Sequence, residues 1–182
     1  DHLGIGRPVN GDSIYNGALD NASGVADILA VARAAATQPR PRRSLMFAFV
    51  TAEESGLLGS AYFAQSPTVP LAQIVANLNV DPGNLLGRTR DLIVLGDTKS
   101  SLGPQIAAML KADGMHLTPK EHPEAGHFYR SDHFSLAKAG VPAVSIESGL
   151  DFVGRSKEWG LQQSDDYTEH RYHQPSDAYR PD

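Results

Sequence analysis

The chain has 182 residues, of which 41% are hydrophobic and 20% are charged, and it contains no cysteine. Without cysteine it cannot form disulfides, thiolate zinc sites or a cysteine nucleophile. Its 21 acidic and 16 basic residues give a formal net charge of −5, which disfavours nucleic-acid binding because that function needs a basic face. No apolar run approaches the roughly 20 residues that span a bilayer. A chain of this length buries one hydrophobic core, so we expect a single domain over residues 1–182.

The first half of the chain is predicted to pass from loop to helix, strand and helix. Residues 1–19 are polar and Gly-rich and predict a loop. Apolar residues at spacings of three and four predict a helix over 21–36. The apolar run 44–51 is typical of a central strand that is covered on both faces. A loop that contains Glu53 and Glu54 follows, and then a short helix over 57–64.

The second half continues the alternation. Strands are predicted over 74–80, 91–95 and 143–147, and helices over 102–110 and 134–139. Alternating strands and helices are typical of an α/β fold in which a sheet lies between helices. We therefore expect a three-layer α/β/α sandwich with a mixed, largely parallel central sheet.

Acidic residues follow two of the predicted strands and precede the first predicted helix. Glu53 and Glu54 come after one strand, Asp81 comes after the next, and Asp20 lies at the loop-to-helix junction. Taken singly, Asp20 is also a typical helix N-cap, and an adjacent Glu pair is usually solvated surface. In open α/β sheets, however, the carboxyl ends of the strands form ligand sites. Acids that meet at such an edge repel one another unless a cation neutralises them, which predicts a metal site.

Histidines supply the candidate imidazole ligands. Carboxylates combined with imidazole, in a chain without thiolates, are typical of a catalytic zinc site. Of the seven histidines, His116 and His122 lie in a polar connector and are expected to be solvated. Spacing alone does not choose among the other candidates, which are His127, His133, His170 and His173.

Six short segments, distributed along most of the chain, carry a family resemblance. They have the forms G-A-x-D-N-A-S-G, A-E-E-x-G-L-x-G-S, N-x-D, S-D-H, G-[IV]-P-A and Y-H-x-x-x-D, and they occur at 16–24, 51–60, 79–81, 130–133, 139–143 and 172–177. In these segments the sequence resembles the co-catalytic di-zinc aminopeptidases. This family of zinc exopeptidases includes bacterial leucine aminopeptidases and is related to glutamate carboxypeptidase and glutaminyl cyclase.

The resemblance implies a role for each acid. Asp20 would bridge two zinc ions, Glu54 and His173 would complete the shell of one ion, and Asp81 would bind the other. Glu53 would be the general base that takes a proton from the zinc-activated water. The implied activity is hydrolysis of the N-terminal residue from peptides that have a free N-terminus.

The resemblance also implies a ligand upstream of the chain. The family's first zinc ligand is the leading His of H-x-D-H-L-G, and residues 1–4 supply only the end of that motif. By resemblance Asp1 orients that His, and Asp132 likewise acts behind the ligands rather than on the metal. We therefore expect a chain that is truncated at both ends relative to the family. Such a chain would hold at most one well-occupied zinc ion, on Asp20, Glu54 and His173, and would be poorly active.

Candidate substrate contacts lie beside the S-D-H segment. Tyr129 is a candidate for stabilising the oxyanion through its hydroxyl. Arg130 would meet a carboxylate or carbonyl beyond the cleaved bond, although a surface Arg paired with a nearby acid is the alternative. Phe152 and Trp159 lie in a Gly- and charge-rich stretch that is expected to be loop, where core packing and an apolar specificity pocket are the alternatives.

Two other functions fit the same motifs. A glutaminyl cyclase-like transferase would use one zinc ion on Asp20, Glu54 and His173. A non-catalytic domain of the same fold usually lacks some of the site's acids, and all of them are present here. Because family members are commonly exported, the resemblance implies a periplasmic or secreted protein. The sequence makes no prediction of oligomeric state.

Overall fold

The computed structural model describes residues 3–120 and 123–180. The helices in these ranges are α1 Ala22–Thr37, α2 Leu58–Gln65, α3 Leu102–Ala112, α4 His133–Lys138 and α5 Lys157–His170. The strands are β1 Gly4–Val9, β2 Asp12–Tyr15, β3 Asn77–Val80, β4 Asp91–Leu95, β5 His116–Leu117 and β6 Ala143–Ser148. None of the helices in these ranges has the length and apolar character needed to cross a membrane.

A four-stranded mixed sheet organises the fold. Its strand order is β3-β6-β4-β5, with β3 parallel to β6, β4 parallel to β5, and β4 antiparallel to β6. Helices flank this sheet: α1 and α4 pack on β3, α4 also contacts β6, and α3 packs against β5. The predicted α/β class with a mixed sheet is confirmed.

The hydrophobic core lies where β4, β6 and α4 meet. Val144 of the inner strand β6 is fully buried, and Ile93 and Val94 of β4 and Leu136 of α4 are nearly so. β-branched residues suit the two inner strands because their side chains pack well on a pleated, covered surface. This core fixes the sheet edge at which β3 ends, immediately before Asp81.

The predicted strand over 44–51 is wrong. The segment belongs to no strand, and Leu45 and Met46 are 55% and 49% exposed. A strand needs a neighbour whose backbone groups complete its hydrogen bonds. Among the described residues the edge strand β3 pairs only with β6, so the segment 44–51 is not paired with the outer edge of β3. Apolar composition predicted burial, but it does not encode a pairing partner.

The predicted loop over 1–19 contains a β-hairpin instead. β1 and β2 are antiparallel, and the turn between them is Asn10-Gly11, with φ of 52° and 87°. Asn-Gly is the preferred pair for such a turn because both positions require positive φ. The strands escaped prediction because they lie mostly in solvent, with Ile5 80% exposed, and therefore lack a clear apolar alternation.

The stretch around Trp159 is also not a loop, because it forms the helix α5. The Ser156 hydroxyl caps this helix by accepting from the backbone N–H of Trp159 at 3.3 Å. Phe152 is only 4% exposed and meets the Trp159 ring edge-on, with centroids 5.1 Å apart. The two aromatic side chains pack against each other rather than lining a pocket.

Asp91, the first residue of β4, is a buried acid that is not one of the predicted metal-site residues. Its side chain is 1% exposed and accepts bonds from the Thr118 hydroxyl at 2.6 Å and from the N–H groups of Leu150 and Asp151 at 3.2 and 2.9 Å. Burial alone raises the pKa of Asp91, but the hydrogen bonds it accepts outweigh burial and leave the pKa below its usual value.

We predict that Asp91→Asn lowers the free energy of unfolding by about 1–3 kcal/mol at neutral pH, because it leaves buried donors poorly satisfied. Since the pKa of Asp91 is depressed in the fold, its stabilisation is present above pH 3.8 and is lost as the pH falls further. Urea denaturation measures both effects. The exposed Asp165→Asn change on α5 is the control and should stay within about 0.5 kcal/mol; equal effects of the two variants would contradict the prediction.

Candidate metal centre

Three predicted ligands from distant parts of the chain meet at one point. His173 Nε2 lies 2.7 Å from Glu54 Oε1 and 3.4 Å from Asp20 Oδ2. One ligand atom from each of the three residues lies within 4.8 Å of the others. Two carboxylates and one imidazole are a donor set that suits a divalent metal such as zinc. Of the four histidines that spacing left open, His173 is the one in this cluster.

Asp20 is held by the start of α1. The helix N-cap is the next residue, Asn21, whose side-chain oxygen accepts from the Gly24 N–H at 3.0 Å, so Asp20 itself is not the cap. The Asn21 amide also donates to the carbonyl of Val80, the last residue of β3, at 3.2 Å. A Cβ at Gly24 would lie 2.7 Å from that same carbonyl oxygen. The absence of a side chain at Gly24 lets the helix approach the strand end, which draws Asp20 and Asp81 together.

Glu53 and Glu54 lie in a tight turn before α2. The Glu53 carbonyl accepts from the N–H groups of Gly56 and Leu57 at 3.0 and 2.8 Å. Ala52, just before the pair, has φ of 58°, a left-handed conformation that is uncommon for residues other than glycine. The backbone that carries the two adjacent carboxylates is therefore held by the left-handed Ala52 before it and by the hydrogen bonds from Gly56 and Leu57 after it.

His173 follows α5 in a turn and also has a left-handed backbone, with φ of 56°. The Tyr172 ring stacks on its imidazole, with centroids 3.8 Å apart and planes 26° apart. Burial, and then the charge of Asp20, raise the pKa of Tyr172 to about 12. The Tyr172 hydroxyl thus stays protonated beside the acids, and its ring restricts how the imidazole can turn.

Asp81 approaches the cluster from the end of β3. Its Oδ2 accepts from the Ser131 hydroxyl at 2.7 Å, and Ser131 Oγ in turn accepts from the Asn79 amide at 2.8 Å. Asp81 is not part of the three-residue cluster, but its charge raises the pKa of both Asp20 and Glu53. The fourth predicted ligand is therefore a neighbour of the cluster rather than a member of it.

The electrostatics of the cluster favour a cation. Burial, followed by the charges of Asp81 and Glu54, raises the pKa of Asp20 to about 7. Burial and the same two neighbours raise the pKa of Glu53 to about 8. Burial and mutual repulsion thus keep these two carboxyl groups protonated near neutral pH, and a bound divalent ion would remove the repulsion. The donor set and the charge balance therefore both fit a metal ion.

The remaining predicted residues lie outside the ligand cluster. Asp132 is the N-cap residue that precedes α4, burial raises its pKa, and its charge helps to raise the pKa of Glu53. Tyr129 is 54% exposed, its ring meets those of Phe128 and Phe134 edge-on, and Arg130 beside it is exposed. The roles of these residues stay predictions, and Asp1 lies outside the described residues.

Other histidines have different environments. His133 is fully buried against the Phe128 ring, and burial lowers its pKa to about 4, so it is neutral. His170 Nδ1 lies 3.4 Å from Asp166 on the exposed side of α5. Sequence reasoning did not assign roles to Tyr172, Ser131 or Asp177, which support the ligands. Each of them lies within one of the family segments, but their hydrogen bonds and ring contacts cannot be predicted from spacing.

Comparison with known proteins identifies the family. The family described as Peptidase family M28 matches residues 1–181. The chain belongs to peptidase family M28. This M28 chain is 31% identical over 156 residues to leupeptin-inactivating enzyme 1 of Streptomyces exfoliatus, over 82% of the chain and 34% of that protein. It is 30% identical over 181 residues to the probable lipoprotein aminopeptidase LpqL of Mycobacterium tuberculosis (strain ATCC 25618 / H37Rv), over 89% of the chain and 35% of that protein.

The M28 chain thus spans about a third of the length of these curated relatives. Among solved structures it resembles BSAP, a zinc aminopeptidase from Bacillus subtilis, with a TM-score of 0.52 and 24% identity. The match covers 90% of this chain and 45% of that one. At this identity the likeness shows that the two share a fold.

We predict that the metal-free M28 chain loses stability as the pH rises from 6.5 to 8.5. The folded-state pKa values of Asp20 and Glu53, about 7 and 8, exceed the ordinary values of 3.8 and 4.5. The unfolded chain therefore binds fewer protons, and the free energy of unfolding falls with pH, by on the order of 2 kcal/mol in this window. Urea unfolding in the presence of a chelator measures the change.

The double variant Asp20→Asn/Glu53→Gln is the control for this prediction, because it removes both titrating carboxyls. Its unfolding free energy should change much less over the same window. Below pH 6.5 the buried neutral His133 adds a slope of the opposite sign, since its pKa is lowered in the fold. A fall of equal size in the parent and the double variant would contradict the assignment.

Proposed function

We propose that the chain is the catalytic part of a zinc-dependent aminopeptidase that removes the N-terminal residue from peptides. The observation that carries this proposal is the meeting of Asp20, Glu54 and His173 within 4.8 Å, with Glu53 adjacent in the same turn. Membership of peptidase family M28 supports hydrolysis of peptide bonds. The name of LpqL, a probable aminopeptidase that is 30% identical, supports action on chain ends.

In this proposal Asp20, Glu54 and His173 would hold one zinc ion, and Asp81 beside them would help to hold a second. Two carboxylates and a neutral imidazole reduce the charge of the first ion, and a further carboxylate reduces that of the second. Zinc bound here supplies an acidified water near neutral pH and polarises the carbonyl of the peptide bond. The bond from Ser131 to Asp81 at 2.7 Å would leave the other Asp81 oxygen to face the site.

Glu53 is the proposed general base. A base acts most efficiently when its pKa lies near the working pH, and burial with the neighbouring acids raises the pKa of Glu53 to about 8 in the metal-free cluster. Glu53 would accept a proton on its carboxylate from the attacking water and return it to the amine of the leaving peptide. A bound cation lowers that pKa from its metal-free value, which keeps Glu53 able to accept the proton at neutral pH.

The substrate's free α-amine supplies the proposed specificity for chain ends. This amine would be held beside the zinc site, where Glu53 is the acid of the cluster that is not a proposed zinc ligand and can attract a positive group. Arg130 is proposed to meet the peptide beyond the cleaved bond, and Tyr129 to donate to the developing oxyanion. An internal peptide bond has no amine to bind the acids and should react poorly.

We predict that Glu53→Gln lowers kcat/KM for aminoacyl anilides about 10²- to 10⁴-fold, because it removes proton transfer. The zinc content should stay that of the parent, since Glu53 is not a ligand. His173→Ala should lose both zinc and activity. Glu169→Gln, on the exposed end of α5, is the matched control and should retain both. Metal analysis and a panel of aminoacyl anilides measure these outcomes, with the protein expressed together with any sequence that precedes Asp1 in its natural polypeptide.

The same panel should include peptides that begin with glutamine. Cyclisation of these peptides, without release of any anilide, would replace the proposed peptidase with a glutaminyl cyclase-like transferase. Full activity of Glu53→Gln would remove Glu53 as the base. Absence of both reactions in a protein that binds zinc would favour a non-catalytic domain.

A further inference from the structure

Asp177 carries a buried carboxylate that has no assigned role. It is 4% exposed and accepts three hydrogen bonds: from the N–H of Leu19 at 2.9 Å, from the N–H of Asp20 at 3.0 Å, and from the Tyr167 hydroxyl at 3.1 Å. Its carbonyl also accepts from the N–H of Ala18 at 3.1 Å. One residue therefore binds three consecutive backbone N–H groups that lead into Asp20.

The backbone of Asp177 also closes a turn that directly follows the turn carrying His173. The Asp177 N–H donates to the carbonyl of Gln174 at 3.0 Å, and the Gln174 N–H donates to the carbonyl of Arg171 at 2.9 Å. His173, which has a left-handed backbone, lies inside the turn that the Gln174 N–H closes on the Arg171 carbonyl. Asp177 thus joins the segments of two proposed ligands, although it lies 157 residues from Asp20 in the sequence.

We propose that Asp177 is a positioning residue for the metal centre, which fixes the Asp20 backbone relative to the His173 turn. This inference rests on the proposed zinc site. The carboxylate suits the task because its two oxygens accept from adjacent N–H groups side by side. An amide in its place turns an NH₂ group towards one of these donors, so that one bond is lost and two donors face each other.

The position of Asp177 also matters electrostatically. Its negative charge raises the pKa of Asp20, after burial, Asp81 and Glu54. Burial and the Asp177 charge raise the pKa of Tyr167 above its usual value, so the Tyr167 hydroxyl remains a donor. The charge therefore adds to the preference of the cluster for a cation, while the hydrogen bonds set the geometry.

Asp91 offers a matched control for a purely structural role. It is also buried and also accepts from two consecutive backbone N–H groups and one hydroxyl, but its partners Leu150, Asp151 and Thr118 have no bond to the cluster. Asp91→Asn and Asp177→Asn therefore remove equivalent bonds in the fold. Only Asp177→Asn should alter metal binding if Asp177 positions the ligands.

The experiment compares the parent chain, Asp177→Asn and Asp91→Asn. Zn²⁺ affinity is measured by competition with a chromogenic chelator, ligand geometry by the visible absorption of the Co²⁺-loaded proteins, and folding by circular dichroism. We expect Asp177→Asn to bind Zn²⁺ about 10- to 100-fold more weakly, with an altered Co²⁺ spectrum, as is typical when a residue that orients ligands is changed. Asp91→Asn should keep the affinity and spectrum of the parent.

Parent-like affinity and spectrum in Asp177→Asn would overturn the inference, as would equal losses of affinity in the two variants. Should Asp177→Asn fail to fold, Asp177→Glu replaces it, since this change keeps the charge but displaces both oxygens. Asp177→Glu should also weaken Zn²⁺ binding and shift the Co²⁺ spectrum, and parent-like values would again overturn the inference. If the parent itself bound no Zn²⁺, the proposed zinc site would fail, which is a different result from equal binding by parent and variant.

Discussion

Repulsion among carboxylates is the constraint on which the site depends. Asp20, Glu53, Glu54 and Asp81 come from three segments, and burial, followed by their mutual charges, raises the pKa of Asp20 to about 7 and that of Glu53 to about 8. Such a gathering is unfavourable by itself and becomes favourable with a bound cation. The rest of the site can be understood as the set of bonds that holds these acids together despite their repulsion.

Those bonds are short and polar, and each ties a ligand segment to another part of the fold. Asn21 joins the start of α1 to the end of β3, and Ser131, which lies just before α4, donates a hydrogen bond to Asp81. Asp177 joins the His173 turn to the backbone of Asp20. The apolar core around β4, β6 and α4 fixes the sheet edge, and these side chains then set the acids within it.

The sequence predicted the elements whose pattern is local. The spacing of apolar residues predicted α1, and the buried run of β4 was predicted with its observed bounds. The segment 44–51 was wrongly predicted to be a strand because pairing depends on a neighbour that composition does not reveal. Helix α5 was missed because it is polar and has almost no buried residue apart from Gly160. For the site, too, local patterns were predicted and contacts between distant residues were not. Family segments predicted His173 and the acids, whereas the support from Tyr172 and Asp177 depends on contacts between distant residues.

The central claim is that Asp20, Glu54 and His173 together hold a zinc ion. Anomalous diffraction at the zinc absorption edge, from crystals of the protein grown with zinc, tests this claim most directly. The account predicts a strong anomalous peak at about 2.0–2.2 Å from a carboxylate oxygen of Asp20, one of Glu54 and a ring nitrogen of His173. Zinc bound elsewhere, with no peak among these three side chains, would contradict it.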